Sequence, residues 1–180
     1  PKANVICASA KHLATDGSER TSIPQLDVRL GLIKGEMGNT CANLFSASSI
    51  KAIQGWNERL ASSQEYDLMF RIWQAGGVFE VDLTPRATIR ERHTGQISQR
   101  DPAAKWTQLV LLRERMLGSF EADSEVDESM QIEWHQSFFD VLRILAKYEL
   151  GTALRFYSRV LKPIRFYPKR SDSTTSAYLL

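Results

Sequence analysis

Apolar and polar positions follow two rhythms along this chain. In the first hundred residues, short apolar runs stand between turn residues; beyond them the apolar positions recur at helical spacing. Val5-Ile6-Cys7-Ala8 predicts a short, largely buried strand. Thr15-Asp16-Gly17-Ser18 is a turn, and Ile23-Pro24 ends the segment after it. Leu26, Val28, Leu30 and Leu32 alternate as in a strand, though Leu26 to Ile33 also fits a helical turn. Asn39 to Phe45 predicts a second strand. Ser48-Ser49 then starts a short helix, with Ile50 and Ile53 on one face and Gly55 at its end. Trp56 to Leu60 is a loop that presents an aromatic.

The next element is the most strongly marked. Leu68, Met69, Ile72 and Trp73 form a helical stripe, and Gly76-Gly77 supplies a left-handed stop. Ser62 and Glu65 have the spacing of a capping box, in which the serine bonds a free N–H and the glutamate reaches back. The same spacing sets two carboxylates, Glu65 and Asp67, where a helix begins beside a loop. There the macrodipole and free N–H groups favour the anion, and an ionised carboxylate at a cleft rim can serve as a general base. Cap and base both fit Glu65.

Val78 to Leu83 alternates as a half-buried strand does, Pro85 breaks it, and Ala87 to Arg92 is a further extended piece. Asp101-Pro102 is a helix start, and the helix it opens runs through Trp106, Leu109, Val110, Arg113, Met116 and Leu117 to Gly118. Glu121 to Glu128 is an acidic loop. Met130 to Leu150 is the longest periodic run, with Phe138, Leu142, Leu145 and Glu149 on one line. A break at Gly151 or Thr152 precedes a shorter helix, Ala153 to Leu161, and a fraying tail comes after Arg170. Mixed strand and helix thus give way to helix alone near Ser98–Pro102. The fold class is α/β, α+β in this stretch, with residues 1–100 as one part and 101–180 as a helical extension.

Composition narrows the function. One hundred and eighty residues suit one domain with a real core, and a net charge of +2 is too small to argue for nucleic acid. Cys7 and Cys41 stand far apart without metal-type spacing and read as buried thiols of a reducing compartment. No run is long enough to span a membrane, no signal peptide is visible, and a cytoplasmic setting fits. Pro1 leads straight into a strand without an initiator Met, which suggests a processed chain or a piece of a longer one. From Arg155 to Arg170, six basic residues interleave with Phe156, Tyr157, Phe166 and Tyr167. That pattern fits a solvated helix face and tail, or peripheral contact with an anionic membrane.

Gly38-Asn39-Thr40 to Phe45, then Gly55-Trp56-Asn57-Glu58, then Gln64-Glu65-Tyr66-Asp67-Leu68, Arg71-Ile72 and Ala75-Gly76 come in an order and spacing that resemble family-two glycosyltransferases of the GT-A fold. Arg92-His93-Thr94-Gly95-Gln96-Ile97-Ser98 is similar to that family's Arg-x-His-x-x-x-x-Ser stretch, slightly shifted. The resemblance covers roughly residues 4 to 100. It implies the acceptor-side half of a Rossmann-like GT-A domain followed by a helical extension. The Asp-x-Asp of the donor half has no match: neither Asp16 nor Asp27 fits it. By itself the chain is therefore expected neither to turn over nor to bind a nucleotide sugar tightly.

The resemblance assigns roles residue by residue. Glu65 takes the position of the catalytic base, where the family usually has Asp, and Asp67 is a second acid, structural or a fallback base. Trp56 and Asn57 belong to the acceptor side; Trp56 can stack on a sugar face or pack in the core. His93 matches a ligand of divalent Mn²⁺ or Mg²⁺, to be held only together with the donor half. Arg90 and Arg92 are candidate phosphate contacts. The implied reaction is inverting transfer from a nucleotide-sugar donor to a saccharide or lipid-linked saccharide. A non-catalytic α+β interaction module, with residues 62–77 simply a well-capped helix, is the other reading.

Overall fold

The computed structural model describes residues 2–90, 101–122 and 127–169. It is a mixed α+β architecture, as the two rhythms predict. Strand β1 (Val5–Leu13) runs the length of a small sheet. On one side it pairs antiparallel with β2 (Glu19–Ser22) at its C-terminal end and with β3 (Leu44–Phe45) at its N-terminal end. On the other side β4 (Phe79–Arg90) lies parallel along it, from Val5 opposite Phe79 to Leu13 opposite Arg90.

Several strand boundaries differ from the apolar pattern. β1 continues past Ala8 to Leu13, because the Thr15–Ser18 turn closes a hairpin and brings β2, unmarked by apolar residues, onto its edge. The Asp16 carboxylate accepts from the Ser18 N–H at 2.8 Å, and Gly17 takes φ 85. The strand expected over Asn39 to Phe45 shrinks to Leu44–Phe45, because residues 39–43 turn on the Asn39 carbonyl, which accepts from the Ala42 and Asn43 N–H groups. Pro85 does not break β4. The ladder shifts register between Ala8 and Ser9 and again between Ser9 and Ala10, and the proline, lacking an N–H, sits in that irregularity.

The helices follow their caps. Helix α1 (Val28–Lys34) settles the ambiguous stretch: Asp27 accepts from the Leu30 N–H at 2.7 Å, and Gly35, φ 78, ends it. Helix α2 is Ala47–Ala52, and α3 is Gln64–Gln74. α3 ends on Gly76, φ 77, with the N–H groups of Gly76 and Gly77 donating to Trp73 and Ile72 carbonyls. Helix α4 (Pro102–Glu121) starts on the Asp101 cap and runs past Gly118. Helix α5 (Glu128–Ala146) stops short of Leu150, because Tyr148 and Glu149 both donate to the Leu145 carbonyl and fold the chain back. Helix α6 (Leu150–Phe156) therefore starts before the predicted break and passes into a π-helical turn, Tyr157–Leu161.

One apolar core joins both halves of the chain, from Val5 and Cys7 through Leu68, Phe70 and Ile72 to Phe120, Trp134, Leu145 and Leu161. α3 buries Phe70 as well as Leu68, Met69 and Ile72 of its predicted stripe and leaves Trp73 half-buried, and Phe70, Trp73, Phe120 and Trp134 form a chain of ring contacts into α4 and α5. Buried Arg113 of α4 donates to the Ser137 and Lys34 carbonyls, fastening α5 and the end of α1. Burial pulls its pKa down to about 10, which leaves it charged at neutral pH. The change of rhythm near residue 100 is thus not a gap in the packing.

One expectation about exposure fails. Cys41 is exposed; only Cys7 is buried. In the basic C-terminal stretch, Phe156 is buried and Phe166 packs on Phe139 and His135, while Arg159 pairs with Glu114 and Lys169 with Glu133. Those two phenylalanine rings belong to the core and not to a docking face. Among the described residues, no helix is long and apolar enough to cross a membrane.

Candidate functional site

The capping box does not form. The residue before α3 is Ser63, with φ 58 and no side-chain cap bond. Ser62 is drawn away from the helix: its N–H and hydroxyl both donate to Gln108 Oε1 of α4, at 3.1 and 3.0 Å. Released from capping, Glu65 turns inward, and its Oε1 is buried with no hydrogen-bond partner among the described residues. Its pKa is raised, because burial penalises the anion more than a hydrogen bond from Thr40 favours it. At this carboxyl desolvation outweighs the pull of the helix terminus toward the anion.

Around Glu65 opens a cleft of about 540 Å³, lined also by Thr40, Trp56, Ser63, Gln64 and Tyr66. Three local devices shape it. Tyr66 accepts from the Met37 N–H and donates to the Gly38 carbonyl, holding the turn that carries Thr40. Gly38, φ 81, is needed there, since a Cβ would lie 2.5 Å from Asn43 Oδ1 and 3.0 Å from the Ala8 carbonyl. Asn43, buried, donates to the Met37 carbonyl and accepts from the Ala8 N–H, tying the turn to β1.

The third device is Arg71. Its Nη1 and Nη2 donate to the Ile53 and Gly55 carbonyls at 2.7 and 2.8 Å, and its Nε donates to Asp67 Oδ2 at 2.8 Å. The loop bearing Trp56 is thereby clamped to the helix bearing Glu65. Trp56 is 41% exposed and meets the Phe45 ring edge-on, with centroids 6.3 Å apart. It is a platform at the cleft and not a core residue.

The other sequence candidates separate. Asp67 is fully buried, and Arg115 Nη1 reaches its second oxygen at 3.2 Å. With Arg71 and Arg115 on it, Asp67 is an anchor, not a free base. Asn57 accepts from the Arg59 N–H within its own loop and does not line the cleft. Arg90 ends β4, exposed, opposite Leu13, and does not line it either. Arg92 and His93 lie outside the described residues. Among the described residues no three His, Cys, Asp or Glu side chains converge to hold a metal ion.

Residue spacing alone singled out neither Thr40, Tyr66 nor Arg71. Arg71 had a signal, four residues after Asp67 on one helix face. Beneath the cleft, burial and then the Glu65 charge push the Cys7 thiol up to about 12, so it stays protonated. There remains a desolvated carboxyl with a raised pKa and a free oxygen beside an aromatic plane. It can accept a proton from a hydroxyl laid against that plane. Compared with protein-family models, curated proteins and solved structures, the chain matches none.

Proposed function

We propose that this cleft is the acceptor end of a sugar-transfer site like that of family-two glycosyltransferases of the GT-A fold. The observation that carries the reading is Glu65 Oε1, buried and unpartnered among the described residues, in a cleft with Trp56. A carboxylate oxygen taken out of water without a partner is costly, and a hydroxyl entering the cleft would supply one. The order of the Gly38–Phe45, Gly55–Glu58 and Gln64–Gly76 motifs supports the same assignment.

In this reading a saccharide, free or lipid-linked, stacks an apolar ring face on Trp56 and points one hydroxyl at Glu65. Glu65 takes that proton as the hydroxyl oxygen bonds the anomeric carbon of the donor sugar. The bond from that carbon to the nucleotide's phosphate oxygen breaks, and its electron pair leaves with the nucleoside diphosphate. The raised pKa makes Glu65 a stronger base than an ordinary carboxylate. The nucleotide-sugar donor, the divalent ion and the roles of His93, Arg90 and Arg92 belong to this proposal, and no step of the transfer is routed through the ion.

The direct test is saccharide titration of the folded chain, with Trp56 fluorescence as the readout and Trp56→Phe as control. Mono- and disaccharides should quench the wild-type signal saturably and leave the control unchanged. Quenching absent across hexoses and N-acetylhexosamines alike would reject the acceptor site.

A further inference from the structure

We propose that the outer face of α6 is a docking surface for an anionic glycerophospholipid bilayer. The inference stands apart from the sugar-transfer reading, since none of its residues lines the cleft at Glu65. α6 buries Ala153 and Phe156 against the core and turns Leu150 and Leu154, one helical turn apart, outward at 60% and 54% exposure. Tyr148, in the turn just before it, is 50% exposed. Lys147, Arg155 and Lys162 are exposed beside these apolar groups. Among the described residues Lys147, Arg155 and Lys162 have no carboxylate partner, and Arg155 donates to the Thr152 hydroxyl.

Charge complementarity chooses the occupant. From Arg143 to Lys169 there are seven Lys or Arg and a single acid, Glu149, whereas residues 121–140 hold seven acids and no Lys or Arg. Three of those seven are paired in the fold, Arg143 with Asp140, Arg159 with Glu114 and Lys169 with Glu133, which leaves Lys147, Arg155 and Lys162 as the charge beside α6. An anionic surface would be drawn to these three cations beside the exposed leucines. Three apolar side chains are too few for a stable protein interface, which buries about 800 Å² on each partner. They suffice for shallow insertion among headgroups, where basic side chains add to a small buried apolar area.

The test is co-sedimentation of the chain with phosphatidylcholine vesicles, with and without phosphatidylglycerol. Binding should need phosphatidylglycerol and be lost near 1 M salt, where the Debye length is about 3 Å. Each basic residue near the surface contributes about fivefold, so Arg155→Ser with Lys162→Ser should lower partitioning roughly twentyfold. Leu150→Ser with Leu154→Ser should weaken it as well, and both pairs, being exposed, should keep the wild-type melting temperature. Equal binding to neutral vesicles, no binding to anionic ones, or binding unchanged in both double variants would overturn the proposal. So would concentration-dependent self-association that disappears in the leucine variant while vesicles stay unbound.

Discussion

Two clefts of nearly equal volume, about 540 and 550 Å³, open on opposite kinds of chemistry. The second lies where α4 ends, α5 begins and the chain returns through Ile164 to Tyr167. Its buried His135 gives Nε2 a partner, Glu121 Oε1 at 2.8 Å, so the two polar groups answer each other. In the first, Glu65 keeps an oxygen that nothing among the described residues satisfies. Size does not separate the clefts, and the state of their polar groups does. The contrast repeats at shorter range within α3: Asp67, two residues on from Glu65, is more deeply buried yet bonded to two arginines. A buried acid with both oxygens partnered holds the fold together, and one that keeps an oxygen free is available for chemistry.

The largest effect should come from Glu65→Gln. Under the sugar-transfer proposal, and with a donor-binding half present, release of nucleoside diphosphate from a nucleotide sugar should fall at least about a hundredfold in kcat, as loss of a general base does. His135→Gln should leave kcat unchanged. Turnover retained in the first variant would erase the distinction between the clefts.

Next comes Arg71→Ala. It leaves Asp67 with Arg115 alone and frees the Ile53 and Gly55 carbonyls, so we expect a loss of about 3 kcal/mol in urea unfolding. Trp56 emission should shift towards that of free tryptophan as its loop comes loose. In the second cleft, removing the His135 imidazole should cost less, about 1 kcal/mol, because Glu121 is half exposed and water can replace the lost partner.

The smallest effect is the most diagnostic. The folded-state pKa of Glu65 is raised, so in the window above its unfolded value the native state binds more protons than the unfolded one. Stability from this group is therefore present at acid pH and lost as pH rises through the folded pKa. Glu65→Gln should melt higher than wild type at neutral pH, with the gap closing as pH falls below the ordinary carboxyl range. A capping Glu65 would give the reverse, a variant that melts lower at neutral pH.

Local chemistry made part of this molecule legible in advance. Gly76 ends α3, Asp101-Pro102 opens α4, Asp16-Gly17 makes the first turn, and Phe138, Leu142 and Leu145 face inward, because caps, turns and stripes act through neighbours a few residues away. Trp56 as an exposed loop aromatic and Glu65 as a candidate were visible for the same reason. The features out of reach depended on residues distant in sequence. Whether Ser62 caps α3 was decided by Gln108, forty-six residues away, and the pairing of Asp67 by Arg115, forty-eight away. β2 exists because β1 offers it an edge, and β4 passes Pro85 because the ladder with β1 absorbs the irregularity. Short stretches of chain thus carry the starts and stops of these helices and turns. Which of two neighbouring carboxylates keeps an unpartnered oxygen is a property of the packed molecule, since desolvation and ion pairing are set by the groups around a side chain and not by its spacing along the chain.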